Sequence, residues 1–290
     1  MMIRGKDGIV IVAVLWICAV IMWIALQIGA ETRLQADERV HQLRRSQALY
    51  LAVGGAYEAI ARMGQPISLE TEETENANWQ PDGKLHQVEY KSGRALVLIE
   101  KETDKVNINQ ADQTQIKAVL EKRGLEESDA DALADKIADF VDPDDTPRLH
   151  GAEKSFYEDR ELHHVPFDGP LTSLDQMLLI PGVTQQLFFG FNLDKEKPEA
   201  GGTGAELPLF NHKDSLFQMF TVYGNNLSLE DEEMLDQAGV RYVTWEAGET
   251  YRILSCGQLS TGSPPVVLWL IIRYAPESEQ GYEVLYRKIL

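Results

Sequence analysis

The stretch Ile9–Ile28, IVIVAVLWICAVIMWIALQI, runs twenty residues without a charge. A bilayer's hydrocarbon core needs about 20 apolar residues at helical rise, so this stretch is predicted to span a membrane as a helix. A short head, MMIRGKDG, carries Arg4 and Lys6 just ahead of it. No loop follows. From Glu31 to Met63 there is no proline, and Leu34, Val40, Leu43, Leu51 and Ile60 recur at loosely helical spacing. The helix is therefore expected to run on to Met63, with Gly64 and Pro66 as its stop. Gly54-Gly55 marks a local weak point, a bend or a close contact. Three fates of this N-terminus are open on sequence. A cleaved secretory signal has an apolar region of roughly 7–15 residues, shorter than this one. A signal anchor would hold Arg4 and Lys6 in the cytoplasm and the body outside. A prepilin-type leader would be cut after Gly8, leaving Ile9 first and the apolar helix on the mature chain.

Composition narrows the partners. Lys and Arg number 27 against 46 Asp and Glu, for a net charge of −19. Such a body repels a phosphate backbone, so no nucleic acid partner is expected. Cys18 lies inside the apolar stretch and Cys256 in a predicted strand, so the two are not expected to pair.

The rest of the chain reads as strands, a helical block, then strands. Ile67–Gly83 is a polar, acidic connection, and Leu85–Tyr90 and Arg94–Glu100 are strand-like around a turn at Ser92-Gly93. Asn107–Leu187 is helical and acidic. One helix ends at Gly124. A second takes Ser128 as N-cap, buries Leu133, Ile137 and Val141 on one stripe and closes at Pro143. An irregular loop, Asp144–Pro170, follows, and then SLDQMLLIPGVTQQLFFGF, a third helical unit broken at Pro181-Gly182. Glu196–Leu207 is a glycine-rich linker, and LSLEDEEMLDQAGV is helix-like. YRILSCGQL, PVVLWLIIRYA and YEVLYRKIL are three strands. The fold class is α+β, with the helical block inserted between strands of one sheet. The expected divisions are 1–8, 9–28, 29–63, 64–106, 107–195 and 196–290.

Asp142, Asp144, Asp145, Glu153, Glu158 and Asp159 crowd around one loop. Carboxylate oxygens in such density suit a hard cation such as Ca2+. Pro147 stands where an EF-hand needs glycine, so that motif is excluded. The competing account is a solvated acidic loop with Asp142 and Asp144 capping turns. His163-His164, beside Asp159 and Glu161, are adjacent in sequence and so point apart, which favours a surface pair over a metal site. Ile180-Pro181-Gly182-Val183 resembles half of a helix-hairpin-helix, but its acidic neighbours favour packing over duplex binding. Ser128, Ser155 and Cys256 lack a nucleophile context, and no catalytic residue is expected.

Gly8 before the uncharged stretch, LRRSQALYLAVGGAYEAI, DKVNINQAD, ADALADKIADFVDPDDTPRLHGAEKSFY, SLDQMLLIPGV and FTVYG occur in that order. Together they resemble the K-type minor pseudopilins of type II secretion systems. After FTVYG the family repeats an asparagine-rich turn, where this chain has NNLSLEDEE. The resemblance implies a pilin-like fold, with a long N-terminal helix packed on an antiparallel sheet and a helical domain inserted. It implies cleavage behind Gly8 by a prepilin peptidase and methylation of the Ile9 amine. It implies a non-enzymatic protein of the inner membrane, its body periplasmic, that meets other minor pseudopilins at the tip of a pseudopilus and starts or caps it for export across the outer membrane. Some members hold calcium in the head, so Asp142, Asp144, Asp145, Glu153 and Glu158 become candidate ligands of a structural Ca2+. Pseudopilins carry a glutamate at the fifth mature position, here Ala13, and the K-type lacks it too. A carboxylate buried among apolar helices is costly unless paired, and a tip subunit has no neighbour above whose amine it must meet. Three alternatives stay open: an anchored nucleic-acid-binding protein of helix-hairpin-helix type, a minor pilin of a related type IV pilus, and a tethered metal-dependent enzyme built on the acidic loop and His163-His164.

Overall fold

The structure, a computed structural model, describes residues 7–64, 78–190, 215–224 and 246–290. The head residues 1–6, the connection 65–77, the glycine-rich linker at 196–207 and the predicted helix at 227–240 lie outside the described residues. The chain divides into two units, Met1–Gln47 and Ala48–Leu290.

Helix α1 covers Asp7–Met63, and so ends where the glycine-proline stop predicts. In the first unit its described apolar side chains are exposed, Trp16, Trp23 and Leu26 among them. Among the described residues no helix is long and apolar enough to cross a membrane. The expected span over Ile9–Ile28 is therefore not obtained within the described residues.

The second unit is built on strands β1 (Asp82–Tyr90), β2 (Gly93–Lys101), β3 (Val106–Asn107), β4 (Phe220–Thr221), β5 (Thr250–Leu259), β6 (Val266–Tyr274) and β7 (Tyr282–Ile289). Five of them form an antiparallel sheet in the order β1-β2-β5-β6-β7. Successive side chains of a strand point to opposite faces. On β2, Ala95, Val97 and Ile99 face one core with Ala52, Ala56, Ala59 and Met63 of α1. Leu98 faces the other core, with Leu254 of β5 and Trp269 and Ile271 of β6. The middle strands are covered on both sides, which is why VVLWLII reads as an unbroken apolar run.

Small residues set the helix-to-sheet distance. A Cβ on Gly55 would stand 2.6 Å from Ala95 Cβ, and one on Gly257 would overlap the Ala48 carbonyl oxygen. The Gly54-Gly55 pair is thus a close contact, and α1 runs through it without a break.

Between β2 and β5 the chain leaves the sheet and forms α2 (Gln113–Lys122), α3 (Glu127–Val141), α4 (Lys154–Asp159), a 3-10 helix (Leu174–Leu179), α5 (Gln185–Phe189) and α6 (Leu216–Met219). Asp112 and Gln115 make a reciprocal capping box at the start of α2. Ser128 does not cap α3. The N-cap is Glu126, and the first turn gains instead from Glu127 and Asp129 against the positive end of the helix. The predicted third helical unit is a 3-10 helix capped by Ser173 and Gln176, followed by α5. Pro181 disfavours helical backbone at Ile180, so the first piece stops after six residues. Strand β3 pairs in parallel with β4, joining the segment after Ser215 to the start of the helical region. Ile108, Ile116, Leu120, Ile137, Phe140, Met177 and Phe217 pack into the core that also receives Trp269 of the sheet.

Candidate metal centre

Helix α3 carries Asp135 and Asp139 one turn apart, both buried. They face the loop that returns towards α4 and satisfy its backbone. Asp135 Oδ2 accepts the His150 amide at 3.1 Å, and Gln113 Nε2 donates to Asp135 Oδ1 at 3.2 Å. Asp139 Oδ2 accepts the amides of Arg148 at 3.2 Å and Ala152 at 3.0 Å. Buried amides need such acceptors, and an ionised acceptor makes the stronger bond. The chain fits only because residue 151 is glycine: a Cβ there would overlap Asp139 Oδ2.

The site lies where this loop meets the end of α3. Asp142 follows the last turn of α3, Asp144 lies two residues on, and Glu153 stands at the N-cap of α4. One oxygen from each comes within 4.8 Å of the others. Glu153 is only 3% exposed. Among the described residues neither of its carboxylate oxygens has a hydrogen-bond partner, and the same holds for Asp142 Oδ1. Burial, then the charges of Asp139 and Asp142, push the Glu153 carboxyl up to about 7. Burial and Glu153 also raise the Tyr157 hydroxyl. Asp144 is exposed, and its Oδ1 accepts the Thr146 amide at 2.9 Å, the turn cap that the competing account expects.

Oxygen donors converging from one loop are what a hard divalent cation takes. A buried, unpartnered carboxylate is costly as it stands, and a cation would satisfy it. The residues present therefore fit Ca2+.

Of the other sequence candidates, Asp145 is exposed and outside the cluster, though its charge acts on Glu153. Glu158 is exposed and lies 3.9 Å from Lys154. Among the described residues it is not one of the acids that converge with Glu153. His163 is exposed, and His164 Nε2 lies 2.7 Å from the Leu179 carbonyl, so the two serve different surroundings. Of Gly8 and Ile9 only the backbone, within α1, is described. Sequence reasoning missed Asp135, Asp139 and Arg148. Two aspartates four apart beside an apolar stripe, followed by a glycine in the next loop, were the available signal.

Residues 94–189 match the family described as type II secretion system (T2SS), protein K. A protein of Escherichia coli (strain K12), assigned to type II secretion as its protein K, is 37% identical over 70 residues. That match covers 24% of this chain and 19% of the relative, about a fifth of its length. Among solved structures, the GspK-GspI-GspJ complex of the type 2 secretion system from enterotoxigenic Escherichia coli is similar at a TM-score of 0.46 and 14% identity. There the match covers 90% of this chain and 99% of that one.

Proposed function

We propose that this chain, whose residues 94–189 match the type II secretion protein K family, is a minor pseudopilin that starts or caps a pseudopilus. The observation that carries this is the family match itself, which begins on β2 and ends on α5 and so takes in helices α2 to α5 of the region between the sheet strands. The work is structural. Its partners are other minor pseudopilins, its processing enzyme is a prepilin peptidase acting between Gly8 and Ile9, and its setting is the inner membrane with the body in the periplasm. The uncharged run Ile9–Ile28 and the exposed apolar side chains along 12–28 support the membrane setting. The Ala13 methyl, where a shaft subunit keeps a carboxylate, and the bulk that the helical region adds to the body both favour a tip position. The fold is pilin-like in this account, the second half of α1 serving as the helix that lies on the sheet.

A tagged copy of the chain, purified from membranes, is expected to bring down other proteins that carry prepilin-type leaders. Recovery of the chain alone under conditions that preserve membrane complexes would count against the proposal.

The same body holds Ca2+ as a structural ion, through Asp142, Asp144 and Glu153. What supports this is the buried, unpartnered Glu153 carboxylate beside two further acids. Metal analysis of the purified chain is expected to find calcium. Bound zinc would return attention to the tethered-enzyme alternative.

A further inference from the structure

The acidic site contains a cation of its own. Arg148 Nη1 donates to Asp139 Oδ1 at 2.6 Å and to Asp142 Oδ2 at 2.5 Å. Its backbone amide is held by the other oxygen of Asp139, so backbone and guanidinium are both pinned to α3. One oxygen of Asp142 is thereby taken. The other, Oδ1, is buried without a partner among the described residues, and Asp142 belongs to the cluster with Asp144 and Glu153.

We propose that Arg148 is the positioning residue of the cation site: by holding Asp142 Oδ2, it fixes Asp142 so that Oδ1 is left for the ion. This rests on the Ca2+ assignment above. Two effects of opposite sign meet here. A guanidinium beside the site opposes a divalent cation by simple repulsion. Yet its charge is already matched by Asp139, which is fully buried and pairs with Arg148. Arginine and Asp139 together are close to neutral as seen from the ion, so the orienting effect decides the outcome. Groups that hold a ligand in place typically change metal affinity about 10–100-fold when removed.

The test titrates Ca2+ into the full chain, in detergent and stripped with a chelator, by calorimetry, for the wild type and Arg148→Met. Positioning predicts that Arg148→Met binds Ca2+ about 10–100-fold more weakly. Repulsion alone predicts the reverse, because the variant loses a positive charge and exposes the ion to Asp139. A second readout separates lost orientation from general loosening. Terbium luminescence lifetimes count the waters on a bound ion, and the variant is expected to show about one more, in the place of Asp142. Unchanged or tighter Ca2+ binding, or an unchanged water count, overturns the role of Arg148 and leaves the site standing. A wild type that binds no Ca2+ overturns both. Should Arg148→Met not fold, Arg148→Gln decides in its place: it keeps an N–H donor for buried Asp139 and removes the Nη1 that bridges Asp139 and Asp142. Weakened binding there supports the proposal, and wild-type affinity overturns it.

Discussion

Glu102 and Arg252 form an ion pair shut off from solvent, at 0% and 1% exposure. Glu102 follows β2 and Arg252 lies on β5, so the pair closes the point where the chain leaves the sheet and returns to it. Arg252 Nη2 donates to Glu102 Oε2 at 3.2 Å and to the Phe220 carbonyl at 3.1 Å, Nη1 donates to the Phe217 carbonyl, and Nε donates to Glu102 Oε1. The guanidinium also lies 4.5 Å from the Phe217 ring. One side chain thus ties the α6–β4 segment to the sheet. Removing one partner of such a pair strands a buried charge, at a cost of about 3–5 kcal/mol. Glu102→Gln is expected to lose that much in chemical denaturation. Arg252→Lys is expected not to recover it, since a single ammonium cannot reach all four acceptors.

Gly151→Ala places a methyl group on the carboxylate of Asp139. The loop must move, and the amides of Arg148 and Ala152 lose their acceptor. A loss of about 1–3 kcal/mol is expected, with protection against hydrogen exchange falling first at residues 148–152.

Asp175, in the 3-10 helix, accepts from Tyr286 Oη at 2.8 Å and pairs with Lys288, both on β7. Burial alone would raise its carboxyl, but Lys288, Ser173 and Tyr286 outweigh burial and hold it below the ordinary aspartate value. A depressed carboxyl contributes stability that is present above its unfolded pKa and lost as pH falls through the folded one. Melting temperature against pH is therefore expected to fall below about pH 4 in the wild type, and less steeply in Asp175→Asn. At neutral pH the variant should be the less stable of the two.

Cys256 lies on β5 with no exposure, and burial pushes its thiol up to about 12. The thiolate is the reactive form. At pH 8 an alkylating reagent is expected to leave Cys256 unlabelled in the folded chain and to label it in denaturant. Labelling at equal rates in both states would contradict the burial of β5.

The sheet was legible because its strands alternate or run apolar between clear turns, as in GRALVLIEK and VVLWLIIRY. Helix α2 was legible from the spacing of Ile116, Val119 and Leu120 and from Gly124 just past its end, whereas its Asp112 cap was not read. The start of α3 was not. Ser128 is the stronger capping type, but the helix begins before it, where packing of Ala130 and Leu133 fixes the first turn. The acidic loop was legible as a cluster of carboxylates. Which of them converge was not, because that depends on Asp139 and Arg148 folding the loop back on α3. Their four hydrogen bonds, to each other, to Asp142 and to the amides of Arg148 and Ala152, join residues that linear spacing gives no reason to pair.

The most direct test of the account is the N-terminus of the chain made together with a prepilin peptidase, read by intact mass and N-terminal sequencing. The account predicts a chain beginning at N-methylated Ile9, with the apolar segment retained. A chain that keeps Met1, or begins near Glu31, contradicts it.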